Sequence, residues 1–463
     1  MVFSSLLFLF WFIPIFFAGY YMCPAKWRNA VLFAGSIIFY AWGEPAYLIL
    51  IFISIAVNYL AGIGLSKRSP EQEHTPSEKI MFIACMVFDF GMLFVFKYTG
   101  FFVQNINTLF GTSIPDPHLS LPLGISFYTF QIASYVIDLY RGKIRYERNI
   151  LTLGTYLVMF PQLIAGPIVV YSQVSDQLHK RDITLDKVSE GITTFIIGLS
   201  SKVLIANTVG ALWDDLAKTR YERISMPLAW LGVVAFTLQI YFDFNGYSLM
   251  AIGLGKMLGF DIPRNFNNPY ISLSLTEFWR RWHMTLSGWF REYVYIPLGG
   301  NRKGAFRTYV NLFIVWALTG FWHGAGWNFI CWGLFFFVFL SLEKSFLGAF
   351  LEKHKVIARI YSLVLIGLSW MIFAITDFAQ LGVYTTRLAA FSSLTNCDDV
   401  IYYGRNYGVV IILGCVFSTP FFAGRFENIR KKPVGIAAQI ALLFICVCYL
   451  ADAAYNPFLY FRF

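Results

Sequence analysis

Twelve apolar runs take up most of this 463-residue chain, near 3–22, 29–43, 46–64, 80–103, 120–139, 190–213, 226–242, 308–322, 327–342, 358–377, 407–422 and 434–451. Inside a bilayer no water is present to satisfy backbone N–H and C=O groups, so a chain crosses as helix and needs roughly 20 mostly apolar residues to do so. Only 13% of the residues are charged, while 57% are hydrophobic. A soluble domain carries about a quarter charged residues, so soluble and disordered classes are excluded. The expected fold class is an all-α polytopic membrane protein. A single membrane domain, 1–463, accounts for the whole chain, with no linker, repeat or second soluble module.

The few charges carry an orientation. With the N-terminus outside, the loops predicted inside hold Lys26 and Arg28, Lys67, Arg68 and Lys79, then Arg141, Lys143, Arg145 and Arg148. Further along come Lys344, Lys353 and Lys355, and last Arg425, Arg430, Lys431 and Lys432, whereas the outer segment 104–118 has no Lys or Arg. Basic residues gather on the cytoplasmic side, so both termini are expected outside. The same rule accounts for the net charge of +10 through membrane lipids, and no nucleic-acid partner is expected. The opening MVFSSLLFLFWFIPIFF lacks a basic n-region and a small-residue cleavage site, and reads as a retained first span. Residues 150–171 are apolar but lie between two basic loops, and Pro161 and Gly166-Pro167 break them. Non-helical backbone at membrane depth must be buried in protein or line a cavity. A re-entrant segment is expected there, with a kinked span as the alternative.

Two of six histidines sit in aromatic surroundings, His323 in LTGFWHGAGWNF and His283 in FWRRWHMTLSGWFREYVYIPLGG. An ionisable group at membrane depth is costly and marks a functional site by default. Around His323, Gly320, Gly324 and Gly326 are expected to leave room for a substrate, with Trp322 and Trp327 as walls. A histidine bonded between helices or capping one remains the alternative. Near His283, Trp279, Trp282, Leu286, Trp289 or Phe290, and Tyr293 recur at helical spacing, which predicts an interfacial amphipathic helix. Its Arg280, Arg281 and Arg291, with Asn301 and Arg302 in the following Gly-rich turn, suit either lipid headgroups or an anionic cofactor such as coenzyme A. Asp243, Asn245 and Tyr247 form a third polar island in IYFDFNGYSLM. A buried carboxylate needs a partner, and one of these arginines or histidines is the expected one. No GxSxG, GxxxxGK[ST] or HExxH occurs, and the scattered cysteines and histidines lack zinc spacing; no metal is expected. The Gly253–Gly259 run reads as helix packing.

The stretches PLGISFYTFQ, MFPQLIAGPIV, DFNGYSLMAIGLGKMLGF, LTEFWRRWHMTLSGWFREYVYIPLGGN and LTGFWHGAGWNF, in order over 122–329, resemble the membrane-bound O-acyltransferase (MBOAT) family, in its bacterial branch of alginate and peptidoglycan O-acetylation membrane subunits. The third departs from the branch pattern, DFSGYSDMA, at Asn245 and Leu249, so no acidic role is expected at 249. The resemblance implies a ring of about 11–13 transmembrane helices with re-entrant segments and a funnel from each side, its signature core at about 120–345. It implies acetyl transfer from acetyl-CoA, with His323 matching the essential histidine and His283 the second signature position. It also implies an extracellular SGNH-type partner that reaches a polysaccharide acceptor, in a bacterial cell membrane. Teichoic-acid or protein acylation from a carrier-protein thioester stays open, as does a transporter without covalent chemistry. The tail 452–463, ending Asn456-Pro-Phe-Leu-Tyr460-Phe-Arg-Phe463, resembles the aromatic terminal motif of a small peptide in the teichoic-acid D-alanylation system. That likeness implies Tyr460 as an acyl relay, against a plain aromatic anchor.

Overall fold

The computed structural model describes residues 1–65, 73–392, 398–421, 426, 428–452 and 458–459. Lys67, Arg68, Arg425 and Tyr460 lie outside the described residues. Among the described residues every element is helical and no strand occurs. Eight helices among the described residues are long and apolar enough to cross a membrane: Pro45–Leu65, Pro76–Phe110, Leu185–Lys218, Met226–Leu258, Trp327–Lys353, Lys355–Ala374, Asp398–Phe417 and Pro433–Asp452. The other expected runs fall on shorter helices, such as Phe8–Met22, Arg28–Ala41, Ile125–Tyr140 and Ala305–His323. The protein is an all-α, multi-pass membrane protein.

Helix ends follow local chemistry more closely than the apolar runs do. Pro76–Phe110 extends well beyond the run 80–103 because a capping box starts it. Thr75 Oγ1 accepts the Glu78 N–H, and the Glu78 carboxylate accepts the Thr75 N–H. Gly111, at φ 64°, stops it in the left-handed region, where glycine has no Cβ to clash.

The chain divides into two compact units, Met1–Phe195 with Met250–Pro263, and Ile196–Leu249 with Arg264–Phe463. In the first, the stretch 150–171 is broken as its prolines and glycine require. Helix Ile150–Val158 stops at Met159, a turn covers Phe160–Leu163, and the next helix starts at Tyr171. Nine residues of helix rise only about 14 Å, too short to cross. The irregular backbone is buried and bonded by side chains. Ser36 Oγ accepts the Phe160 N–H at 3.1 Å, and Tyr156 OH donates to the Val169 carbonyl at 2.9 Å.

The second unit depends on two close helix approaches. A Cβ on Gly320 would lie 2.4 Å from the Phe329 carbonyl oxygen, and one on Gly333 would lie 2.4 Å from that of Trp316. This pairs Ala305–His323 tightly with Trp327–Leu342. A Cβ on Gly246 would lie 2.7 Å from the Gly198 carbonyl oxygen and 3.1 Å from Lys202 N. Only glycine at 246 lets Met226–Leu258 approach so closely at the level of Lys202.

Candidate active site

His323 is the last residue of helix Ala305–His323, where extended backbone at Gly324 ends the helix before Trp327–Leu342 begins. Its ring meets Trp322, Trp332 and Phe373 edge-on at 4.9–5.4 Å between centroids, and the residue is 6% exposed. It lines a cavity of about 20 Å³ together with Asp243, Phe244, Trp370, Phe458 and Leu459. That is room for one water.

The glycines do not supply that room. Phe329 fills the space beside Gly324, where a Cβ would fall 2.1 Å from the ring, and Asn328 Oδ1 stands 2.6 Å from a Cβ on Gly326. Gly320, Gly324 and Gly326 therefore serve close packing, in place of the open substrate approach expected from sequence. Trp322 is buried and its ring lies 5.0 Å from that of His323. Trp327, 54% exposed, is not one of the residues lining the cavity.

The expected amphipathic helix around His283 is interrupted. Leu275–Arg281 and Met284–Phe290 are separate helices, with His283 between them at φ 44° and ψ 52°. Asn265 accounts for the break. Its carbonyl accepts the Met284 N–H at 2.9 Å, and its side-chain Oδ1 accepts the Thr285 N–H at 3.3 Å and Thr285 Oγ1 at 3.0 Å. These bonds lock the left-handed turn that an L-residue otherwise avoids. Because Oδ1 faces a backbone donor it is an acceptor, so His283 Nδ1, 3.1 Å away, carries the proton. Nε2 is then a lone-pair acceptor, buried with no hydrogen-bond partner among the described residues. Burial pushes the His283 imidazole down to about 3, because desolvation penalises the charged form. Trp322 links the two histidines, with its ring 5.0 Å from His323 and 6.1 Å from His283.

Asp243 finds its partner in Lys202, not in the arginines or histidines expected from sequence. Nζ lies 2.7 Å from Oδ1, with both side chains under 5% exposed. Lys202 sits in a π-helical turn, Ser201–Ala206, a form that often marks functional positions. It also donates to Asn207 Oδ1 at 2.8 Å. The other carboxylate oxygen, Oδ2, accepts the Leu459 N–H at 2.7 Å. Phe458 rests its ring 4.7 Å from that of Tyr247 and 6.3 Å from that of Phe244. Phe458 and Leu459 thus reach the cavity that His323 lines. Asn245 is half-buried on the same helix as Asp243.

The basic segment lies elsewhere. Arg280, Arg291, Asn301 and Arg302 are exposed, and Arg281 is committed to Glu277 at 2.9 Å and to the Asn267 carbonyl. In the glycine turn, the N–H groups of Gly299, Gly300 and Arg302 are donated to backbone carbonyls.

The sequence profile described as MBOAT, membrane-bound O-acyltransferase family, matches residues 141–386, just over half of the chain. Over the whole length of both proteins the chain is 37% identical to "Probable alginate O-acetylase AlgI" of Pseudomonas putida. The chain belongs to the membrane-bound O-acyltransferase family. It is therefore a membrane acyltransferase. The Helicobacter pylori peptidoglycan O-acetyltransferase is 35% identical over 81% of this chain and 77% of its own. The Bacillus subtilis teichoic acid D-alanyltransferase is 28% identical over 54% of this chain and 69% of its own. The matched region holds Lys202, Asp243, His283 and His323 and stops before Phe458 and Leu459.

Proposed function

We propose that this acyltransferase takes acetyl groups from cytoplasmic acetyl-CoA and passes them through the bacterial cell membrane. They serve O-acetylation of a cell-surface or secreted polysaccharide by an extracellular SGNH-type transferase. The alginate and peptidoglycan O-acetylases among its relatives support the acetyl group and the polysaccharide. The observation that carries the reading is the buried, aromatic-walled chamber in which His323 meets Phe458 and Leu459. The loop charges support both termini outside.

In this reading His323 is the general base. It takes the proton of an attacking hydroxyl as the oxygen bonds to the thioester carbonyl carbon. The tetrahedral adduct then collapses, the C–S bond breaks, and the coenzyme A thiolate leaves with that proton. Burial disfavours the charged form of His283, so in this reading it works as a neutral imidazole. It orients Trp322 and offers Nε2 as an acceptor. Arg280, Arg291, Asn301 and Arg302 suit the donor's phosphates, and Arg281 holds the segment in place through Glu277. The first acceptor is the Tyr460 phenol, which becomes an acetyl ester and then yields its acetyl group to the partner's nucleophile.

Purified protein in nanodiscs, given acetyl-CoA, is expected to release free thiol and to carry a 42 Da adduct on its C-terminal peptide (the mass of one acetyl group in place of a hydrogen). Thiol release from an acylated carrier protein but not from acetyl-CoA would overturn the donor assignment. No thiol release from either would favour a transporter. Full polysaccharide acetylation by Tyr460→Phe, with no adduct in the parent, would end the relay.

A further inference from the structure

We propose that the buried Lys202–Asp243 pair is a receptor for the chain's own Phe458–Leu459 segment, setting its register at Leu459 and making these two residues a wall of the His323 chamber. The consequence for transfer rests on the function proposed above; the seat itself is independent of it.

A buried ion pair contributes little to stability over apolar side chains of the same volume, and one way such pairs are retained is by specifying an arrangement. Here the pair leaves one strong acceptor over. Lys202 Nζ holds Oδ1 at 2.7 Å, while Oδ2 takes the Leu459 backbone N–H at 2.7 Å, the short distance of a charge-assisted bond. Gly246, one helical turn beyond Asp243, makes the approach of the Lys202 helix possible. The aromatic contacts of Phe458 with Tyr247 and Phe244 fix the neighbouring side chain. The seat therefore reads a backbone donor followed through two aromatic walls, which is recognition of a peptide segment.

With the segment seated, the chamber has about 20 Å³ left, enough for one water and too little for a thioester with a separate acceptor. Either the chain's own Tyr460 supplies the acceptor hydroxyl or the segment must leave for one to enter. A polysaccharide does not meet His323 while Phe458 and Leu459 are in place.

Amide hydrogen exchange of the full-length protein in nanodiscs, read on the C-terminal peptide by mass spectrometry, tests the seat without any catalysis. Two charge-balanced variants differ only in the acceptor: Lys202→Met with Asp243→Asn retains a carbonyl oxygen, and Lys202→Met with Asp243→Leu removes it. The expected result is slow exchange at Leu459 in the parent and the Asn variant, and exchange faster by about tenfold or more in the Leu variant, the equilibrium weight of one such bond. Equal protection in the two variants, or an unprotected Leu459 amide in the parent, would overturn the proposal. Should the paired substitutions not fold, Leu459→Pro deletes the donor without touching the helices. It is expected to speed exchange at Phe458, where Leu459→Ala does not; equal exchange in these two would also overturn the seat. Protection without a Tyr460 adduct would overturn the relay alone, and an adduct without protection the seat alone.

Discussion

Replacing Asn265 by leucine tests how the turn at His283 is held. Leucine is close to asparagine in size but accepts nothing, so it leaves the His283 Nδ1–H and the Thr285 N–H without the oxygen they share. The stranded His283 donor, fully buried, costs about 1–3 kcal/mol, and the part-buried Thr285 N–H costs less. The bonds from Thr285 Oγ1 to Oδ1 and from Asn265 Nδ2 to Ser248 Oγ are lost as well. The total is about 4 kcal/mol, a large part of the 5–15 kcal/mol typical of a folded domain. Thermal unfolding in nanodiscs is expected to show a large drop, with Thr285→Val costing only about 1 kcal/mol. Acid sensitivity adds a second measure. The folded imidazole is depressed to about 3, below an ordinary value near 6.5, so on acidification the unfolded chain binds a proton that the native one refuses. Stability is therefore fully present above pH 6.5 and falls as pH drops toward 3, by up to about 1.4 kcal/mol per pH unit. His283→Asn removes that slope. An Asn265→Leu protein within about 1 kcal/mol of the parent, or nitrogen NMR showing His283 protonated on Nε2, would refute the reasoning.

Three further substitutions have defined outcomes. Gly246→Val drives a Cβ to within 2.7 Å of the Gly198 carbonyl oxygen and is expected to lower stability by about 1–3 kcal/mol; a neutral effect in thermal unfolding would mean the helices are not in contact there. Glu343→Ala removes the carboxylate that accepts the N–H groups of Leu275 and Thr276 and the Thr276 hydroxyl, and should cost about 2–3 kcal/mol. Glu343→Gln, which retains one acceptor oxygen, should lose less, and equal losses would dismiss the cap. Lys202→Met alone leaves Asp243 charged and buried and is expected to cost about 3–5 kcal/mol, most of it recovered on adding Asp243→Asn; a double variant no better than the single would show that the pair is not coupled.

The membrane class was legible because twelve apolar runs leave no other solvent for the chain; His283 stood out through the aromatics that recur at helical spacing around it beside three arginines, and His323 as a lone ionisable group among aromatics. Lys202 carried the same signal, a single cation within the run 190–213, but charge pairing joins residues 41 positions apart and cannot be read from local spacing. The break at His283 was hidden because the aromatic period continues across it with neither glycine nor proline to mark it. Asn265, which makes the break, lies in an irregular loop with no pattern at all. Glycines beside His323 looked like open space, yet a missing side chain is also what close packing requires. What faces the glycine decides between the two, and Phe329 faces Gly324.

The central assignment is His323 as the base in acetyl transfer. Thiol release from acetyl-CoA by the purified protein, compared between the parent and His323→Ala at matched unfolding temperature, measures it directly. The expected loss is about 10²–10⁴-fold, with acetyl-CoA binding retained. A His323→Ala protein releasing thiol at more than about a tenth of the parental rate would contradict the assignment, since general-base catalysis contributes far more than that.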